Sequence, residues 1–147
     1  MLLWDGACMV HEAFSIDKIL ALIKGHPEAK FIAHPESEKN ILKVASYVGS
    51  TTGMINFVMQ DRAEKYIVAT EAGILHEMQK MAPKKILIPA PSEEDNHCAC
   101  AECFYMKMNS LEKLYLCMKN ETPEITIPED IRLKALVPLQ KMLDISK

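Results

Sequence analysis

The residues best suited to chemistry in this chain are thiols, and three of its five cysteines crowd into Cys98-Ala99-Cys100-Ala101-Glu102-Cys103. Thiolates are soft ligands for zinc or iron–sulfur clusters, and a C-x-C-x-x-C spacing brings at least two sulfurs within reach of one centre. The plain alternative is a set of reduced surface cysteines with no role. Cys8 and Cys117 stand apart from this group. Taken singly each reads as a small buried hydrophobe, Cys117 the more so because Leu114 and Met118 accompany it on a helical pattern.

Histidine and carboxylate follow. His34 and Glu36 flank Pro35; in extended backbone two residues spaced by one point to the same side, and the proline stiffens the segment. Such a pair can hold an acid and a base at fixed separation. The alternative is the start of a helix, where Glu36 merely complements the helix dipole. Gly49-Ser50-Thr51-Thr52-Gly53 sets hydroxyls and small residues just before a helical pattern. Backbone N–H groups there can cradle a carboxylate or phosphate, and the same residues also make a plain N-cap. The ten methionines fall mostly at core spacings and carry no metal role.

These residues need elements to position them. Short β-like runs alternate with helix-period segments, which predicts a three-layer α/β/α domain with a short, mostly parallel sheet. The strands are expected at Met1 to Trp4, Lys30 to Ala33, Lys65 to Ala69 and Lys84 to Pro89. Ser15 caps a helix carrying Ile16, Ile19, Leu20 and Ile23 up to Gly25. Ser37 caps a second with Ile41, Leu42, Ala45 and Val48, ended by Gly49, and a third starts near Thr51 or Thr52 and buries Met54, Ile55 and Val58. Ile74, Leu75, Met78 and Met81 define the apolar face of a fourth, stopped by Pro83. Pro89 to His97 reads as a loop, followed by a C-terminal helical extension: one helix with Leu111, Leu114, Tyr115 and Met118, and another from Pro128 that Pro138 should kink or split.

In open parallel sheets, ligands bind beyond the carboxyl ends of the strands. Gly6, Cys8 and His11 follow the first strand, His34-Pro35-Glu36 the second, Thr70-Glu71 the third, and the loop to Cys98 through Cys103 the fourth, so all converge on one edge. His26-Pro27-Glu28 precedes its strand and reads as a turn on the opposite edge.

Composition narrows the function classes. The 147 residues are 49% hydrophobic and 25% charged, as in a globular domain, and 17 basic against 20 acidic residues leave a formal charge of −3 with no basic block. Nucleic acid is therefore not an expected partner. No apolar run approaches the roughly 20 residues of a membrane helix, and the N-terminus lacks the basic and apolar regions of a signal peptide, so a reducing cytoplasm is the expected setting.

Five segments, taken together and in order, resemble the successive signatures of the quinolinate synthase family, the A protein of de novo NAD biosynthesis. They are Leu3 to Glu12 (LWDGACMVHE), His34-Pro35-Glu36, Val48 to Gly53 (VGSTTG), Thr70 to His76 (TEAGILH) and Cys103 to Asn109 (CFYMKMN). The resemblance implies an enzyme of three similar α/β/α domains around a central [4Fe–4S] cluster, with one cysteine ligand from each domain. Iminoaspartate condenses with dihydroxyacetone phosphate to give quinolinate, a transferase reaction in which the cluster's open iron serves as Lewis acid. An oxidase or dehydrogenase supplying iminoaspartate is the implied protein partner.

Residue by residue, the resemblance makes Cys8 and Cys103 the metal ligands of the middle and last domains. It places His11 near the substrate, makes His34 and Glu36 the proton-transfer pair, and gives Ser50 and Thr51 the anionic end of the substrate. It also implies a longer polypeptide, with the first cluster cysteine, a catalytic aromatic residue, the first domain and most of the second in an N-terminal half preceding Met1. Residues 1–13 are then the end of the middle domain, 14–91 the C-terminal α/β/α domain, and 92–147 the cysteine loop and C-terminal helices. Two ligands of three imply weak or oxygen-labile cluster binding and doubtful activity for this chain alone. A different reading is a non-catalytic α/β module binding zinc through Cys98, Cys100, Cys103 and His97; a third is an unstable fragment that self-associates through uncovered apolar faces.

Overall fold

The structure is a computed structural model that describes residues 6–93 and 101–146. The strand expected at Met1 to Trp4 lies outside them. Contacts divide the chain into two units, Met1–Lys107 and Met108–Lys147.

The first unit is an α/β/α sandwich. Its elements are α1 (Met9–Glu12), α2 (Ile16–Gly25), β1 (Lys30–Ala33), α3 (Lys39–Val44), β2 (Tyr47–Val48), α4 (Thr51–Gln60), β3 (Lys65–Ala69), α5 (Gly73–Met81), β4 (Ile86–Pro89) and α6 (Phe104–Lys107). The four strands are all parallel, in the order β2-β1-β3-β4. Period-two alternation splits the side chains of the strands between two cores. Phe31, Ala33, Ile67 and Ala69 face one, with Ile19 of α2 and Ile41 of α3; Ile32, Tyr66 and Val68 face the other, with Met54 and Val58 of α4 and Met78 of α5. The chain steps from β1 to β2 in one direction and from β3 to β4 in the other, and right-handed crossovers then require helices on opposite faces. That reversal puts a crevice between the carboxyl ends of β1 and β3, where open α/β sheets bind ligands.

The strands at Lys30–Ala33 and Lys65–Ala69 lie where the apolar runs predicted them, and Ser15 caps α2 by accepting from Lys18 N. Three local expectations fail. The helix expected through Val48 stops at Val44, because Tyr47 and Val48 pair with Ile32 and Ala33 and the sheet ladder satisfies backbone groups that a helix would have used internally. Ser37 is not its cap: Glu38 holds that position, and the Ser37 hydroxyl is buried without a hydrogen-bond partner among the described residues. Met81 points to solvent rather than joining Met78 in the core, since only one stripe of α5 meets the sheet.

The second unit contains α7 (Leu111–Asn120), capped by Ser110, and α8 (Glu129–Ile145). Neither carries a buried residue, so the apolar face of α7 and the Cys117 thiol, expected to be covered, are exposed. Two helices lack the volume to enclose a core of their own. Pro128 sits at the N-cap of α8, and α8 runs through Pro138 without being split.

Candidate functional site

Backbone pairing outside the regular sheet carries Cys8 to the crevice. Ser15 N donates to Pro91 O, Glu93 N donates to Ala13 O, and Phe14 forms an antiparallel bridge with Ser92, so the segment around α1 is tied to the chain leaving β4. Cys8 is the extended N-cap residue of α1, and His11, one turn on, is buried at 6% exposure.

Cys103 arrives from the other direction. Ala101 is buried in the same core as Phe14 and Ile19, and its carbonyl accepts from Ala72 N. The Glu71 carboxylate accepts from Cys103 N through one oxygen (3.4 Å) and from Gly73 N through the other (2.8 Å). Glu71 thus holds the cysteine against the start of α5. Cys98, Cys100 and His97, the other members of the zinc reading, lie outside the described residues.

Between these two thiols opens a cavity of about 550 Å³ lined by Cys8, His11, His34, Glu36, Thr51 and Cys103, with Thr70 on its wall. His11 and His34 stack with ring centroids 4.5 Å apart and planes 9° off parallel. His11 Nδ1 lies 3.1 Å from Glu36 Oε2, and Nε2 lies 3.3 Å from Thr70 Oγ1. Burial pushes the His11 pKa down and the adjacent His34 pushes the same way, against the Glu36 carboxylate, which pulls it up; the net direction is downward, so the imidazole is neutral near pH 7. A neutral ring has one donor and one acceptor. Nδ1–H therefore donates to the Glu36 carboxylate, and Nε2 accepts from the Thr70 hydroxyl. Glu36, with its side chain 60% exposed, stands at the mouth, while Glu36 N donates to His34 Nδ1.

Ser50 and Thr51 divide their work. The Ser50 hydroxyl caps α4 by accepting from Gly53 N (3.2 Å), whereas Thr51, the first residue of that helix, lines the cavity. The loop is shaped by Tyr47, whose ring stacks on Phe57 and whose hydroxyl passes so close to Gly49 and Gly53 that a Cβ at either would lie 2.5 or 2.8 Å from it. Met54 and Val58 bury the inner face of the helix and fix its N-terminus at the cavity.

The expected edge thus assembles: thiols, histidines, a carboxylate and a helix N-terminus meet in one cavity. His26-Pro27-Glu28 lies at the other end, where Glu28 pairs with Lys65 at the start of β3. Three contributors carried no assigned role from sequence. Thr70 and Glu71 are signalled by their place after a strand and by the family-like run Thr70 to His76, whereas Tyr47 lies inside an apparent helix.

Comparison with known proteins covers nearly the whole chain. The sequence profile of the family described as quinolinate synthetase A protein matches residues 1–144. The chain belongs to that family. A quinolinate synthase of Microcystis aeruginosa is 57% identical over 146 residues, one of Trichodesmium erythraeum 56% over 146, and one of Chloroherpeton thalassium 51% over 147. Each alignment covers 99–100% of this chain and 45% of the relative. The chain therefore spans a little under half the length of these quinolinate synthases, and the α/β/α unit with its cavity is a part of the larger family sequence. No helix among the described residues is long and apolar enough to cross a membrane.

Proposed function

We propose that this chain forms the C-terminal portion of a quinolinate synthase of NAD biosynthesis, a cytoplasmic enzyme that condenses iminoaspartate with dihydroxyacetone phosphate. The observation that carries the reading is the shared cavity: Cys8 and Cys103, far apart in sequence, line it together with His11, His34, Glu36 and Thr51. Two soft thiol donors opening on one space suit a [4Fe–4S] cluster, with a third thiolate supplied by the N-terminal half. Such a cluster, when bound, supplies a Lewis-acid iron.

This chain's own groups have separable roles. Glu36, exposed at the mouth and hydrogen-bonded to His11, accepts and returns protons during the condensation, with His34 beside it as partner. His11, kept neutral by burial, orients Glu36 through Nδ1–H and is itself held by Thr70. The Thr51 hydroxyl and the first N–H groups of α4 hold the anionic end of the substrate, where the helix dipole favours negative charge. Ser50 acts indirectly, by capping that helix. A wall of buried side chains, Val10 and His11 among them, limits water on the inner side.

The test is anaerobic co-expression of this chain with the N-terminal half of a close relative, followed by iron, sulfide and turnover measurement. Four irons and four sulfides per complex are expected, with quinolinate formed from iminoaspartate and dihydroxyacetone phosphate. Cys8→Ser and Cys103→Ser should each remove most of the cluster, and Cys98→Ser should cost less. A preparation holding zinc, without labile sulfide and equally sensitive to Cys98→Ser, refutes the proposal in favour of the zinc module.

A further inference from the structure

The cavity contains a second kind of donor set. Cys8, His11 and Glu36 each offer a ligand atom, and the three atoms lie within 4.8 Å of one another. A tetrahedral divalent site with bonds of about 2.0–2.3 Å separates its ligand atoms by about 3.3–3.6 Å. His11 Nδ1 and Glu36 Oε2, at 3.1 Å, already approximate one edge of that tetrahedron. The remaining closure, about 1 Å, falls to the Cys8 side chain and to Glu36, the most exposed of the three.

We propose that these residues form a mononuclear site for a borderline-soft divalent cation, Zn²⁺ foremost, in the cluster-free chain. A thiolate, an imidazole and a carboxylate are the donor types such a cation takes, and the open cavity leaves its fourth position to water. The surroundings suit this use. A ligating imidazole usually donates its other N–H to a fixed acceptor, and the Thr70 hydroxyl lies 3.3 Å from Nε2. Metal binding through Nδ1 then exchanges one neutral tautomer for the other: the proton leaves Nδ1, Nε2 takes one up, and the Thr70 hydroxyl changes from donor to acceptor. The Cys8 thiol loses one proton to solvent, so one proton is released per cation bound. A consequence, which rests on Cys8 also being a cluster ligand, is that Zn²⁺ and iron–sulfur assembly compete for the same thiolate.

The experiment uses the full 147-residue chain, reduced and metal-free, titrated anaerobically with Co²⁺ as spectroscopic probe and then with Zn²⁺. Expected are one equivalent of Co²⁺, the intense visible bands of tetrahedral coordination, a thiolate-to-cobalt charge-transfer band, and displacement by Zn²⁺. Cys8→Ser should abolish the charge-transfer band. Glu36→Gln, at an exposed position that leaves folding intact by circular dichroism, should weaken Co²⁺ at least tenfold. The double change Cys98→Ser with Cys100→Ser should leave the spectrum unaltered. Persistence of the full spectrum in Cys8→Ser, unchanged affinity in Glu36→Gln, or loss on changing Cys98 and Cys100 overturns the site. Separate iron and sulfide reconstitution keeps the two ideas apart. Iron–sulfur uptake by the complex with the N-terminal half, without Co²⁺ binding to this chain, defeats this inference alone, whereas Co²⁺ binding with the expected variant pattern but no iron–sulfur uptake by that complex defeats the proposed function and supports the site.

Discussion

Tyr47 and its two glycines allow the loop that presents Thr51 to be tested by a double-mutant cycle. A Cβ added at Gly53 would stand 2.8 Å from the Tyr47 hydroxyl, 3.4 Å from Ser50 Oγ and 3.9 Å from Tyr47 Cζ. Only the hydroxyl is too close. Gly53 lies in the first turn of α4, where replacing glycine by alanine gains about 1 kcal/mol of helix propensity. Against this, forcing an atom into a packed site costs about 1–3 kcal/mol. The Tyr47 ring cannot easily swing away, because it stacks on Phe57 at 4.3 Å and 8°. Gly53→Ala alone is therefore expected to be neutral or destabilising by up to about 2 kcal/mol. With Tyr47→Phe the hydroxyl is gone, the nearest remaining contact is an ordinary one, and the same change should stabilise by about 1 kcal/mol. The coupling, at least about 1 kcal/mol, exceeds the usual error of such cycles.

Gly49 supplies the control. A Cβ there meets Tyr47 Cε1 at 2.7 Å and Cζ at 2.8 Å as well as the hydroxyl at 2.5 Å, so phenylalanine gives no relief. Gly49→Ala should destabilise equally in both backgrounds. Urea unfolding of the four-member cycle, with Gly49→Ala in each background, reads this directly, since 1 kcal/mol moves the midpoint by about 0.3–1 M. Stabilisation by Gly53→Ala with Tyr47 intact, or rescue of Gly49→Ala by Tyr47→Phe, would refute the placement of the ring over the loop.

Other expectations concern the core, the pH dependence and the histidine pair. Ile67→Ala, in a central strand at 0% exposure, should lose about 2–5 kcal/mol in urea unfolding, while Leu111→Ala at 86% exposure should stay within about 0.5 kcal/mol. Lys30, then Tyr66 and the Ala63 N–H, hold the Asp61 carboxyl far below the usual range. A depressed carboxyl stabilises the fold above its unfolded pKa and loses that contribution as pH falls, so the gap between wild type and Asp61→Asn should be flat near neutrality and shrink below about pH 4 in urea midpoints. A gap that widens in acid contradicts the pairing. In proton NMR titrations of the metal-free chain, His11 should move to still lower pH in Glu36→Gln, which removes the carboxylate, and to higher pH in His34→Asn, which removes the neighbouring imidazole; shifts of opposite sign would show that neither group faces His11.

Legibility followed the range of the forces involved. The central strands Lys30–Ala33 and Lys65–Ala69 could be read from the chain because burial on both faces demands an unbroken apolar run, and α2 because Ser15 and Gly25 bracket a 3.6-residue repeat. β2 could not. Ile41, Leu42, Ala45 and Val48 continue a helical pattern, and what ends α3 at Val44 is pairing of Tyr47 and Val48 with a strand earlier in the chain. Ser37 looks like a cap from its neighbours, yet the helix begins two residues later. The apolar faces of α7 and α8 carry a core-like pattern, but amphipathicity states only that a face can be covered, and here both are exposed.

The site divides in the same way. Residue types and the edge on which most of them gather were determined by the chain alone: thiols, histidines, a carboxylate and the Thr70 hydroxyl all follow expected strands, and the topology of parallel sheets sends everything after a strand to one side. Tertiary structure decided which of them meet. Stacking of His34 on His11, the hydrogen bonds from His11 to Glu36 and Thr70, the grip of Glu71 on Cys103, and the closeness of Cys8 to His11 and Glu36 each join residues brought together by separate strand ends. Periodicity is a local property and specifies each element. Distance between elements depends on strand order and crossover handedness, and these exist only once the sheet has closed around both cores.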